Sequence, residues 1–83
     1  MQQDNRLLDR VAQLLVQVAK VDPAQITRDS RLRDGFGIDS LSMIDLVVTA
    51  EDAFDVRIPD EDAERFETVG DIVDFLQRAD VAT

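Results

Sequence analysis

The 83-residue chain has no cysteine, no histidine, no tryptophan and no tyrosine. Those gaps exclude disulfides, thiolate or imidazole metal sites, and serine–histidine or cysteine–histidine nucleophilic catalysis within the chain. An unassisted catalyst is not expected. Positive charge is also scarce: nine basic residues face eighteen acids, for a formal charge of −9. Such a surface repels nucleic acid and anionic membranes and attracts basic protein patches. No apolar run approaches membrane-spanning length, and no basic and apolar leader opens the chain, so the expectation is a cytoplasmic protein with no membrane insertion. With 45% hydrophobic residues, the length suits one small domain over 1–83 with one core, and is too short for two.

The charge is unevenly placed. Residues 1–38 hold five acids and six bases, net +1, whereas Asp39 to Asp74 hold twelve acids against Arg57 and Arg65, net −10. Runs of this kind are commonly solvated faces. This one begins beside Ser40, and that position gives it further interest.

Leu7, Leu8, Val11, Leu14, Leu15 and Val18 recur at three- and four-residue spacing, predicting an amphipathic helix with Asp4 as its N-cap and an end near Asp22-Pro23. From Ala24 to Ile38 the period vanishes and turn residues take over, with Ile26, Leu32, Phe36 and Ile38 as spaced anchors. The expectation is a long, ordered loop. A second helix runs from Leu41 to Phe54. On a helical wheel Met43, Leu46, Val47, Ala50, Ala53 and Phe54 share one side, the expected core stripe. Leu41, Ile44 and Val48 fall nearly opposite, flanked by Asp45 and Asp52. That second stripe meets a partner, is covered by the loop, or is no more than the scattered exposed aliphatics normal on a protein surface.

Asp55 to Pro59 reads as an extended connection, and Asp60 to Phe66 as one or two helical turns with acids at the N-terminus. Thr68 and Asp71 form a capping pattern for a last helix with Val69, Ile72, Val73 and Leu76 on its apolar face, slightly weakened by Gly70. The predicted fold is therefore all-α: a small bundle of three principal helices, one short helix and a long first loop.

Ser40, just before the second helix, supports two readings from one geometry. It can be a plain N-cap, accepting a first-turn N–H. Alternatively, a phosphate ester on its hydroxyl would lie at the positive end of the helix dipole. The acids offer less chemistry. A calcium loop starting at Asp60 fails at its sixth position, where Arg65 replaces the required glycine, and no metal site is expected. Paired-carboxylate hydrolysis would need acids facing across a cleft, which a solvated acidic face does not provide.

Asp39-Ser40-Leu41, then Glu51-Asp52-Ala53-Phe54, then Ile58-Pro59-Asp60-Glu61-Asp62, then Thr68-Val69-Gly70-Asp71, follow in an order and spacing that resemble the acyl carrier proteins over about residues 4–78. The resemblance implies a small acyl-carrier-like helical bundle with a 4′-phosphopantetheine arm, derived from coenzyme A, on Ser40. That arm would carry the growing chain as a thioester, so the cofactor would supply the sulfur this chain lacks. It implies that Asp39 helps a phosphopantetheinyl transferase engage the site. It also implies that Leu41, Asp45, Val48, Glu51 and Asp52, with Ile44 of the same stripe, face acyltransferase, ketosynthase and related enzymes through basic docking patches. Leu46, Val47, Phe54, Ile58, Ala63 and Ile72 are the implied acyl-chain wall, with core packing as their alternative role. A monomer that carries cargo and catalyses nothing is expected.

Peptidyl carriers more often have a glycine or histidine pair before the serine and a less acidic second helix. Ile38-Asp39 and the charge therefore favour an acyl cargo. Ser42-Met43 looks most like actinobacterial fatty-acid and meromycolate carriers, with stand-alone polyketide carriers close behind. Arg31-Leu32-Arg33-Asp34-Gly35-Phe36-Gly37 departs from the family, whose approach to the serine is often a shorter Leu-Gly. A non-covalent acidic adaptor or inhibitor of a basic partner is the alternative from another class.

Overall fold

The computed structural model describes residues 2–79, with side chains from residue 6 onward. Helix α1 covers Gln2–Ala19, α2 Ser40–Phe54, α3 Asp60–Glu64 and α4 Val69–Arg78. Pro23–Gln25 makes a single 3-10 turn in the long first loop. Among the described residues only an isolated bridge, Arg31 with Thr68, has strand-like pairing. The architecture is the expected one: three principal helices, one short helix and a long first loop.

The apolar stripes meet as their periods require. Helix α1 packs against both α2 and α4. Leu7, Val11, Leu14 and Leu15 of α1 are buried with Met43, Leu46, Ala50 and Phe54 of α2 and Val69, Ile72, Val73 and Leu76 of α4. Full burial of such side chains is worth roughly 1.5–3 kcal/mol each, so these shared faces orient the helices. Phe66 and Phe75 meet edge to face with ring centroids 5.8 Å apart.

Both ends of α1 and one core position of α2 bring corrections. Helix α1 begins at Gln2, so Asp4 lies inside it and is not its N-cap. The helix ends at Ala19, earlier than Asp22: Lys20 adopts a left-handed φ of 58°, and its N–H still reaches Val16 O at 3.0 Å. Asp22 instead caps the 3-10 turn, accepting from Ala24 N at 3.0 Å. Ala53, expected in the core stripe, is exposed because it lies at the stripe's edge. There its carbonyl accepts from Arg10 at 3.2 Å, while the Arg10 guanidinium sits 4.3 Å from the Phe54 ring centroid.

The first loop is pinned at both ends of its course. Leu32 and Ile38 are buried, while Ile26 and Phe36 are half-buried against the core. Its strand-like stretch also lies along the start of α4. Gly70 N donates to Arg28 O at 2.8 Å, Val69 N to Ser30 O at 3.0 Å, and Leu32 N to Glu67 O at 2.9 Å. Thr68 forms the expected capping box with Asp71. First-turn N–H groups of α4 thus find acceptors in the loop, as the ends of buried helices require.

Candidate functional site

The approach to α2 is a tight turn. Arg31 O accepts from Gly35 N at 3.0 Å and Phe36 N at 3.1 Å, and Arg33 O accepts from Gly37 N at 3.0 Å. A Cβ on Gly35 would stand 2.5 Å from Arg31 O, and Gly37 has a φ of +69°. Both positions therefore favour glycine. The turn delivers Ile38 into the core and leaves Asp39 and Ser40 exposed.

The cap of α2 is Asp39, correcting the plain-cap reading of Ser40. Asp39 has an extended backbone, and its carboxylate accepts from Ser42 N at 2.9 Å. The Ser42 backbone N–H, followed by the Ser42 hydroxyl, holds the Asp39 carboxyl below the usual carboxylate range. Ser40 is the first residue of the helix. The chain's other serines are engaged. Ser30 Oγ accepts from Thr27 N at 2.9 Å and lies 3.2 Å from Gln25 O, to which its hydroxyl donates. Ser42 is half-buried in the first turn of α2, and its backbone N–H is given to Asp39.

Ser40 lines an open groove of about 430 Å³ bounded by α2, α3 and the connection between them. Met43, Ile44, Val47 and Val48 form its α2 side, with Ile58 and Ala63 opposite and Arg33, Glu51, Asp60 and Glu64 supplying polar lining. The volume falls in the range of small-ligand clefts, about 300–1,000 Å³. Of the six residues expected as an acyl wall, Val47, Ile58 and Ala63 line this groove. Leu46, Phe54 and Ile72 do not, and are almost wholly buried in the core. Met43 and Arg33 were absent from that sequence-based set. Met43 follows the core periodicity, and no period marks Arg33.

Leu41, Ile44 and Val48 are exposed at 75%, 58% and 56%, so the loop does not cover the second stripe. Asp45 and Asp52 beside them are exposed as well. Glu51 differs: it is half-buried, and its Oε2 accepts from Ile58 N at 2.7 Å. One of the expected docking acids is thereby committed to the α2–α3 connection.

An exposed serine at a helix start, on the rim of a groove with an apolar floor, fits a covalently attached phosphorylated arm. The family model described as "Phosphopantetheine attachment site" matches residues 9–76, and the chain belongs to this phosphopantetheine-binding carrier family. Its relatives are acyl carrier proteins. That of Rhodococcus erythropolis is 38% identical over 72 residues, covering 87% of this chain and 79% of the relative. The meromycolate extension acyl carrier protein of Mycobacterium leprae is 40% identical over 68 residues; this covers 82% of the chain but only 59% of the relative's length. The solved acyl carrier protein of Enterococcus faecalis superposes with a TM-score of 0.77 at 33% identity, covering 92% of this chain and 96% of that one. Proteins of this family are carriers rather than enzymes and work with a phosphopantetheinyl transferase and with biosynthetic enzymes. Among the described residues, no helix is long and apolar enough to cross a membrane.

Proposed function

We propose that the chain is a single, monomeric acyl carrier domain of the cytoplasm, loaded at Ser40 with 4′-phosphopantetheine and serving fatty-acid or polyketide synthesis. The observation that carries this reading is the contrast among the three serines. Ser40 alone combines exposure, the start of a long helix and the rim of a groove, whereas Ser30 has an engaged hydroxyl and Ser42 is half-buried inside the first turn. When bound, the arm supplies a thiol on which an acyl group is held as a thioester.

The chain's own residues then have separate tasks. Ser40 Oγ is the attachment atom. Asp39 orders the first turn of α2 and presents a carboxylate to the transferase, while Leu41 supplies an adjacent apolar contact. Leu41, Ile44 and Val48, with Asp45 and Asp52, form a face for acyltransferases, ketosynthases and related enzymes that carry basic patches. Charge there guides encounter, and apolar contact sets residence. Met43, Val47, Ile58 and Ala63 offer cover for the first part of an acyl chain. The mycobacterial relative supports an actinobacterial fatty-acid or meromycolate setting within this reading.

Incubation of wild type and Ser40→Ala with a promiscuous phosphopantetheinyl transferase, coenzyme A and magnesium, followed by intact-mass and fragment analysis, tests the assignment. One phosphopantetheinyl group on Ser40 of wild type and none on the variant is expected. Modification at another serine would overturn the Ser40 assignment, and none on folded wild type with several transferases would move the balance to the non-covalent adaptor.

A further inference from the structure

The surroundings of Ser40 pose an electrostatic problem. A phosphodiester on its oxygen would bring a permanent negative charge beside Asp39, whose carboxylate already accepts from Ser42 N at 2.9 Å at the head of α2. The adjoining groove adds Glu51, Asp60 and Glu64 to its lining. Helix N-termini favour anions, but here a resident carboxylate has taken part of that capacity. A protein cation beside the diester would offset the added charge.

Among the described residues lining the groove, Arg33 is the one cation. Its backbone is well anchored: Arg33 O accepts from Gly37 N at 3.0 Å, and the preceding Leu32 is fully buried. Its side chain is exposed and makes no ion pair among the described residues, unlike Arg28 with Asp74 at 2.7 Å and Arg31 with Asp34 at 3.5 Å. Carboxylates compete for it: Glu64 lines this groove and also a smaller cleft with Arg33, where Asp34 and Glu67 stand as well. A tethered phosphodiester has an advantage in that competition. Attachment at Ser40 fixes it at high effective concentration, and its paired oxygens suit the guanidinium fork.

We propose that Arg33 is a positioning residue for the phosphodiester of the arm on Ser40, holding the arm at the mouth of the groove between α2 and α3. The inference rests on Ser40 being the attachment point. It assigns a task to an arginine that the sequence showed only as a departure from the family's usual loop.

The test compares apo and loaded forms of wild type, Arg33→Ala and Arg33→Lys, with intact mass establishing loading in each. Urea unfolding at low and high salt gives the change in the unfolding constant on loading, and phosphorus NMR reports the environment of the diester. Apo wild type and apo R33A should unfold alike. At low salt, loading should favour the folded state of wild type over that of R33A by about two- to fivefold, the range of an exposed ion pair. R33K should retain part of this advantage, high salt should erase most of it, and the phosphorus resonance should move in R33A. An equal effect of loading in wild type and R33A, with an unmoved resonance and full mass gain, would overturn the role of Arg33 while leaving Ser40 in place. Absence of the mass gain on wild type Ser40 would instead overturn the attachment reading and this inference with it.

Discussion

Replacing Glu51 tests whether the acids of α2 are interchangeable. Glu51 Oε2 accepts from Ile58 N at 2.7 Å, and Ile58 is only 4% exposed. Glu51→Ala leaves the Ile58 N–H without this partner in a mostly buried setting, a loss of about 1–3 kcal/mol. Glu51→Gln keeps an acceptor but gives up charge assistance, so its expected loss is smaller, about 1 kcal/mol. Asp52 is exposed, and Asp52→Ala should stay within about 0.5 kcal/mol of wild type. For a domain of this size 1 kcal/mol corresponds to roughly 4–8 °C in Tm. A 2 kcal/mol loss in E51A therefore predicts a fall of about 8–16 °C. Thermal melts of the three variants, with hydrogen exchange at the Ile58 amide, measure this. Equal Tm values for E51A and D52A, with Ile58 exchange unchanged, would refute the reasoning. The order E51A, E51Q, D52A is the essential result, because a general loss of negative charge would not produce it.

Three further predictions concern charge. The lowered Asp39 pKa gives stability that is fully present above the unfolded value of about 3.9 and is lost as pH falls through the folded value. Acid titration of wild type against Asp39→Ala should thus show a difference at neutral pH that closes below about pH 4; a gap unchanged to strong acid would contradict the ionised cap. Asp45→Lys with Asp52→Lys should slow association with a basic partner enzyme and flatten its salt dependence, while Val48→Ala should mainly hasten dissociation. Stopped-flow association and dissociation rates indistinguishable from wild type would count against this face. Salt or magnesium should raise Tm by screening the net −10 of Asp39 to Asp74, and melts insensitive to both would show those acids to be already balanced.

Much of the fold was legible because periodicity reports burial directly. The spacing of Leu7, Val11, Leu14 and Leu15, and of Val69, Ile72, Val73 and Leu76, already defined the faces that α1 and α4 bury. The stripe of Leu41, Ile44 and Val48 was visible, but its exposure depended on the loop's path, which no local pattern encodes. Asp39 and Ser40 are both good cap residues, and the choice between them rests on which has extended backbone angles. Glu51 looked like any surface acid of α2. Its bond to Ile58 joins positions seven residues apart through the bend at Asp55, whose left-handed φ of 55° the sequence did not announce. Arg33 became meaningful only when folding set it on the same groove as Ser40.

The pairing of the loop with the start of α4 has a consequence for the order of assembly. Arg31 and Thr68 bridge, and Gly70, Val69 and Leu32 donate across the same seam, so sequence positions nearly forty residues apart must meet before the approach to Ser40 acquires its final course. Helices α1 and α2 can gain structure from local contacts, but this seam closes a long stretch of chain that includes all of α2 and α3. Its formation belongs with the slow, non-local part of folding. Ser40 is thereby tied to the start of α4: a change at Thr68 that loosens the seam acts on the geometry of Ser40 without touching it.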